Sequence, residues 1–336
     1  MTTPVAAAGA SARYERTVVV DWSARAAPAH GKDTIWIGVH HPDGCVTAEN
    51  PATRAEAADA LIALLADGVP TVVGFDFPLG YPAGFAAAAG LTSAHPGGSP
   101  WRAAWAHLAE QIVDGPANAN NRWDVAADLN RRLGTNRFWG APPRRAGPHL
   151  TTRKTRPPDP ATPATPSDPA TPATPSDPAT PATPSDPATP TTQTALPDPA
   201  EFRHVEIRLR ARNTRPFTVW QLLGAGSVGS QVLTGIPVVH RLRHHPALRD
   251  RTRIWPFETG LQRPHATVVL AEIWPTLVDV DHVDHPVKDA RQVIALADVL
   301  ADRERAGTLD LWFAPAVPAA AREDVLTEEG WVLGVE

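Results

Sequence analysis

The chain has 336 residues, 43% hydrophobic and 20% charged, enough for one large domain or two small ones. No apolar run approaches the ~18 residues that span a bilayer, the N-terminus lacks the pattern of a signal peptide, and the single cysteine, Cys45, excludes an internal disulfide and any multi-cysteine metal site. The expectation is a cytoplasmic protein with no membrane partner. A net charge of −5 conceals two basic blocks, 131–156 and 203–253, each at net +8 on a remainder of −21, a pattern compatible with a phosphate-rich ligand such as nucleic acid or a nucleotide.

Arg16-Thr-Val-Val-Val-Asp21 is a short β-branched run and predicts a buried strand ending in an acid. A second strand is expected at Ile35–His41, turn chemistry at Pro42-Asp-Gly44, and a short third strand at Cys45–Ala48. Thr53 can cap a helix over Arg54–Ala66, with Ala57, Ala60, Leu61, Leu64 and Leu65 on one stripe and Gly68 as its stop. Thr71–Asp76 predicts a fourth strand, again ending in an acid, before Phe77-Pro-Leu-Gly-Tyr-Pro82 turns away.

Beyond it, residues 83–140 read as helical and irregular. Residues 151–200 hold 15 of the 37 prolines, and the nonapeptide ATPATPSDP stands three times in tandem over 161–187. No apolar face can be built from it, so a disordered, polyproline-like tether is expected. Phe217–Leu233 is mixed, and Gly235-Ile-Pro237 is read as a break. Thr267–Glu272 predicts the fifth strand, Lys288–Arg305 a helix, and Trp331–Val335 a possible last edge strand.

Hairpins followed by alternating helix and strand predict an α/β protein with a mixed five-stranded sheet flanked by helices, an order that matches the ribonuclease-H-like fold. Its first half is expected at 12–85, a helical and irregular insertion at 86–150, the tether at 151–200, a basic insertion with a Gly-rich loop at 201–262, and the second half at 263–336.

Asp21, Asp76 and Glu272 stand at or near the ends of separate predicted strands, and Asp289 opens the last long helix. Side-by-side strands would bring these carboxylates to one edge of the sheet. Crowded carboxylates cannot all stay ionised without a cation, which invites Mg²⁺ or Mn²⁺. Such ions activate water and stabilise the leaving oxygen of a phosphodiester.

The stretches VVVDWSA (18–24), VVGFDFPLGYP (72–82), AEIWPTL (271–277), VKDARQVIALA (287–297) and EEGWVLGV (328–335) resemble the family of predicted RNase-H-like nucleases known as domain of unknown function 429. The resemblance covers roughly residues 16–85 and 263–336. It implies nuclease chemistry with Asp21, Asp76, Glu272 and Asp289 as catalytic and metal-binding residues. One departure stands out: where many nucleases of this superfamily carry a second acid along the last helix, this chain has Gln292 and Val293.

Gly224-Ala-Gly226-Ser-Val-Gly229 matches GxGxxG, but Gly235 and Pro237 cut the helix short, so a dinucleotide site is set aside. Two readings stay open: a phosphate-holding backbone loop with Ser227 and Ser230 as donors and Arg215 and Gln221 beside it, or a tightly packed turn. Lys288 is a further phosphate candidate. Glu258 is a reserve acid whose plainer reading is a salt bridge, and the run Asp279–His285 reads as an exposed turn. The expectation is a metal-dependent nuclease or phosphodiesterase. Its rival is a non-nuclease protein of the same fold that binds a nucleotide or cofactor precursor in the same cleft, with a role in cofactor biosynthesis.

Overall fold

The computed structural model describes residues 13–91, 98–155 and 198–336. The tandem repeat lies outside these. The strands are β1 (Arg16–Asp21), β2 (Trp36–His40), β3 (Val46–Glu49), β4 (Thr71–Phe75), β5 (Thr252–Ile254) and β6 (Val268–Glu272). They form one six-stranded sheet in the order β3-β2-β1-β4-β6-β5. β2 runs antiparallel to β1 and β3, while β1, β4, β6 and β5 are mutually parallel.

The sheet has six strands rather than the five expected. The unforeseen one, β5, has only three residues, Thr-Arg-Ile, with no hydrophobic run to announce it. The expected last strand at Trp331–Val335 shrinks to a parallel bridge between Val332 and Glu272. Leu333 N–H donates to the Glu272 carbonyl there, beyond the point where β5 has ended.

Alternation along the central strands sorts their side chains onto two faces. Val18, Val20, Val73, Phe75, Val268 and Leu270 face one core, and Val19, Val72, Val269 and Ala271 the other. The first core is closed by helices α1 (Arg54–Leu65), α3 (Pro100–Gln111), α4 (Arg122–Leu133) and α6 (Gly229–His244). α2 (Phe85–Ala88) leads into α3 and adds Phe85 to this core. The second is closed by α5 (His204–Ala211), α7 (Lys288–Arg305) and α8 (Leu309–Phe313). The insertions therefore share the core of the sheet.

α1 starts as its sequence requires: the Thr53 hydroxyl accepts the Glu56 N–H at 3.1 Å and the Glu56 carboxylate accepts the Ala52 N–H at 2.9 Å. α6 runs through Gly235 and Pro237, so the expected break does not occur. Interior proline costs about 3 kcal/mol. Val232, Leu233, Ile236 and Val239 are all fully buried on the sheet, each worth about 1.5–3 kcal/mol, and together they outweigh it. Gly235 makes that seat possible, since a Cβ there would lie 2.3 Å from the Phe77 ring.

α7 rests on the other face with equal closeness. A Cβ on Gly38 would stand 2.5 Å from the Val293 carbonyl oxygen, so glycine in β2 lets the helix backbone touch the sheet. That contact fixes the height of the first turn of α7, where Asp289 sits.

Among the described residues no helix is long and apolar enough to cross a membrane.

The described chain stops at 155 and resumes at 198, and its two ends are tied together. Lys154 pairs with Glu201 at 2.8 Å and Arg137 with Asp198 at 3.0 Å. Excision of residues 161–187 leaves these ties in place. The melting temperature is expected to stay level or rise slightly, since halving a closed loop returns about 0.6 kcal/mol. Thermal unfolding of the shortened chain checks this, and a fall of several degrees would show that the repeat supplies contacts of its own.

Candidate functional site

Asp21 closes β1, and Asp76 directly follows β4, its parallel neighbour. The Asp76 N–H donates to the Val20 carbonyl at 3.1 Å, continuing the ladder by one step. Both acids fall on the α7 face of the sheet by alternation. The two carboxyl groups are close enough to perturb each other, and Asp289 adds its charge to both.

Backbone donors hold the outer members. The Trp22 N–H reaches Asp76 Oδ1 at 2.8 Å, and the Asp33 N–H reaches Asp289 Oδ2 at 2.7 Å. Burial pushes the Asp21 carboxyl well above the usual carboxylate range, and the neighbouring acids Asp76, Asp289 and Asp33 push it further. Burial likewise raises Asp76, against the lowering effect of Asp21 beside it and of the Trp22 N–H.

Glu272 does not join them. Register pairs it with Phe75, so it shares that residue's face and is one step out of phase with Asp76. Its oxygens are taken instead by Arg203, at 2.6 and 2.8 Å, and by the Leu79 N–H at 3.1 Å. Arg203 is fully buried, pairs also with Glu206 at 2.5 Å and donates to the Glu329 carbonyl at 2.7 Å. These partners hold its charge more firmly than usual, whereas burial leaves Glu272 raised even though it is paired.

Among the described residues no group of three or more His, Cys, Asp or Glu side chains is arranged to hold a metal ion. What the structure does assemble is the pair Asp21–Asp76, with Asp289 within electrostatic reach.

A cleft of about 450 Å³ opens beside Asp76. Pro78, Leu209, Phe217, Ile273 and Trp274 give it apolar walls, and Arg215 and Gly226 line it too. The substrate candidates divide here. Arg215 reaches the cleft. Ser227 donates its hydroxyl to the Gly224 carbonyl at 2.9 Å, and Gln221 turns to the Leu223 carbonyl at 3.2 Å. Ser230 is consumed inside the fold, donating to the Leu222 carbonyl and accepting from Arg122. The glycines are demanded by packing: a Cβ on Gly226 would strike the Phe217 ring at 2.3 Å, and one on Gly229 the Val219 carbonyl at 2.4 Å. Lys288 is exposed at the start of α7, next to Asp289.

The two basic blocks are largely spent within the protein. Arg131 and Arg132 pair with Asp128, Arg241 with Asp59, and Arg243 with Glu258. Arg208 and Arg212 reach the Glu336 carbonyl, Arg251 caps the end of α1, and Arg210 lies over the Phe202 ring. Glu258 is thus a structural ion-pair partner, as its plainer reading held. Arg215 is exposed and has no partner among the described residues. Trp22, beside the acid pair, is buried and donates from Nε1 to Thr234, so it has no free face for a base.

Sequence reasoning missed Asp33 and Arg203. Asp33 sits in the β1–β2 connection with a left-handed backbone (φ 57°), for which no local pattern gives notice. Arg203 is one arginine among ten in its block, and its partners stand 69 and 126 positions away.

Comparison of the chain with family models, with curated proteins and with solved structures finds no match.

Two outcomes are expected. Arg203→Ala leaves Glu206 and Glu272 buried without their cation and should cost about 3–5 kcal/mol in urea unfolding. For the acid pair, folded pKa values raised above the unfolded ones mean that the native state binds more protons over that interval. Stability therefore falls as pH rises from about 4 through the raised values, and the penalty is complete above them. Asp76→Asn keeps an acceptor for Trp22 and removes one charge. In EDTA it should raise the melting temperature at pH 8 and flatten the decline between pH 4 and 8. An unchanged profile would mean that the two carboxyls do not interact.

Proposed function

We propose that the protein is a metal-dependent phosphodiesterase or nuclease of ribonuclease-H-like fold, in which Asp21, Asp76 and Asp289 hold a Mg²⁺ or Mn²⁺ ion. The observation that carries this reading is the meeting of Asp21 and Asp76 at the ends of adjacent parallel strands, under the first turn of α7. The order β3-β2-β1-β4-β6, with β2 opposed to its neighbours, supports the fold assignment, and β5 extends it by one edge strand. The resemblance of 18–24, 72–82 and 287–297 to the domain of unknown function 429 family points the same way.

The pair Asp21–Asp76, with Asp289 within electrostatic reach, offers the oxygen chemistry that a hard cation takes. Two carboxyls held above their normal range, Asp21 by burial and the charge of Asp76, and Asp76 by burial and the charge of Asp289, are relieved by an oxygen-seeking divalent ion. When bound, such an ion supplies Lewis acidity and a water of lowered pKa. The chain's own contribution is orientation: Trp22 and Asp33 present backbone N–H groups that fix Asp76 and Asp289, and α7 is seated by Gly38. Glu272 is committed to Arg203, and Gln292 and Val293 replace a second helix acid, so the arrangement favours one ion over two.

A second reading, ligand binding without hydrolysis, is favoured by the apolar cleft beside Asp76. Incubation with Mn²⁺ and a mixed panel of DNA and RNA separates the two. Cleavage that requires Mn²⁺ and drops to background in Asp21→Asn, with the fold intact by circular dichroism, supports the hydrolase. Failure to cleave any member of the panel would remove it.

A further inference from the structure

We infer that the cleft beside Asp76 receives a single base-bearing phosphate ester, one nucleotide in size, rather than a length of duplex. The inference deepens the reading of the same site as a phosphodiesterase and rests on it for the role of Asp76. Three observations carry it.

The first is size. At about 450 Å³ the cleft lies in the range that encloses one small ligand. The second is lining. Phe217 is 42% exposed and is the one aromatic among the large hydrophobic side chains left exposed in the described residues. It stands on this cleft together with Trp274. An exposed ring on a concave apolar wall is suited to stack a flat heterocycle, whose π-face it accepts whatever the base.

The third is charge. A duplex is held by many phosphate contacts at once, but the arginines of the basic blocks are mostly engaged by carboxylates, carbonyls or a ring. Arg215 has no partner among the described residues and lines both this cleft and the adjoining one. Glu206 and Glu272, also on the cleft wall, share the charge of Arg203 and so repel an anion less than two free carboxylates would. The cleft thus offers aromatic surface, the unpaired Arg215, and Asp76 on its lining.

The ligand chemistry has two sources: a free mononucleotide, or the terminal nucleotide of a single strand. Calorimetric titration of the full chain in Mn²⁺ and in EDTA, with AMP, ribose 5-phosphate, a 5′-phosphorylated dA hexamer and a 12-base-pair duplex, tests the inference. AMP or the hexamer should bind at least tenfold more tightly than ribose 5-phosphate, because only they carry a base. Tighter binding of AMP marks the free nucleotide as the source, and tighter binding of the hexamer marks the strand end. Arg215→Ala and Phe217→Leu should each weaken the better ligand about tenfold. Both positions are exposed, and leucine keeps apolar cover over Gly226.

The inference is overturned if AMP and the hexamer fail to bind. It is also overturned if neither substitution changes affinity, or if the duplex binds best with a steep salt dependence. A duplex cleaved in Mn²⁺ by a chain that does not bind AMP would remove the inference and leave the hydrolase standing. AMP bound with no cleavage of any substrate would do the reverse.

Discussion

The buried guanidinium of Arg203 is the constraint on which the closed end of this molecule depends. It faces Glu206 on its own helix, Glu272 at the end of β6, and the Glu329 carbonyl in the C-terminal segment. Those three groups come from chain segments that share no local sequence. A charge so deeply buried is tolerable only when every donor is answered, and here the answering groups are the sheet and the tail themselves. Glu329 in turn accepts N–H groups of Ala83 and His204, while Glu328 accepts those of Gly84 and Ala86. The carboxylates at this end act as fasteners, and the turn after β4 is held in place by them.

That arrangement divides the acids of the sheet end into two populations. Glu206, Glu272, Glu328 and Glu329 are occupied by partners and belong to the architecture. Asp21 and Asp76 face one another with few donors between them, beneath an α-helix whose position is set by Gly38. One residue of register separates the populations. Phe75 opposes Glu272, so Asp76 points away from it. The strain between Asp21 and Asp76 is met by no cationic side chain among the described residues, whereas Glu272 has Arg203 and Glu328 and Glu329 have backbone donors.

The central strands were legible in sequence because β1, β4 and β6 are buried on both faces and read as unbroken β-branched or apolar runs. The helix at Lys288–Arg305 was legible from its periodicity and keeps its expected bounds. β5 was not, since three residues on an edge carry no pattern. α6 defeated a sound local rule: Pro237 signals a break, and only contact with Phe77 and the sheet, distant in sequence, reverses it. Of the expected acids, Asp21, Asp76 and Asp289 follow from strand and helix ends. The fate of Glu272 depended on register and on Arg203, neither of which its neighbours in sequence reveal. The basic blocks misled in a similar way, because charge counted along the chain does not say which arginines meet carboxylates in space.

The strand order carries a cost in time. β4 forms the centre of the sheet beside β1, yet its other neighbour, β6, lies about 190 residues further along the chain. At ribosomal speeds of about 5–20 residues per second, β4 waits roughly 10–40 s for that partner. During this interval Val72, Val73 and Phe75 present an apolar edge with unpaired backbone groups, the form of surface that recruits other strands. The nascent chain can shelter one face early, because α1 emerges before β4 and packs on the same core. The other face is covered later still, first by α5 and then by α7. The protein is thus a late-closing fold, in which the central edge of β4 stays open until β6 has been made.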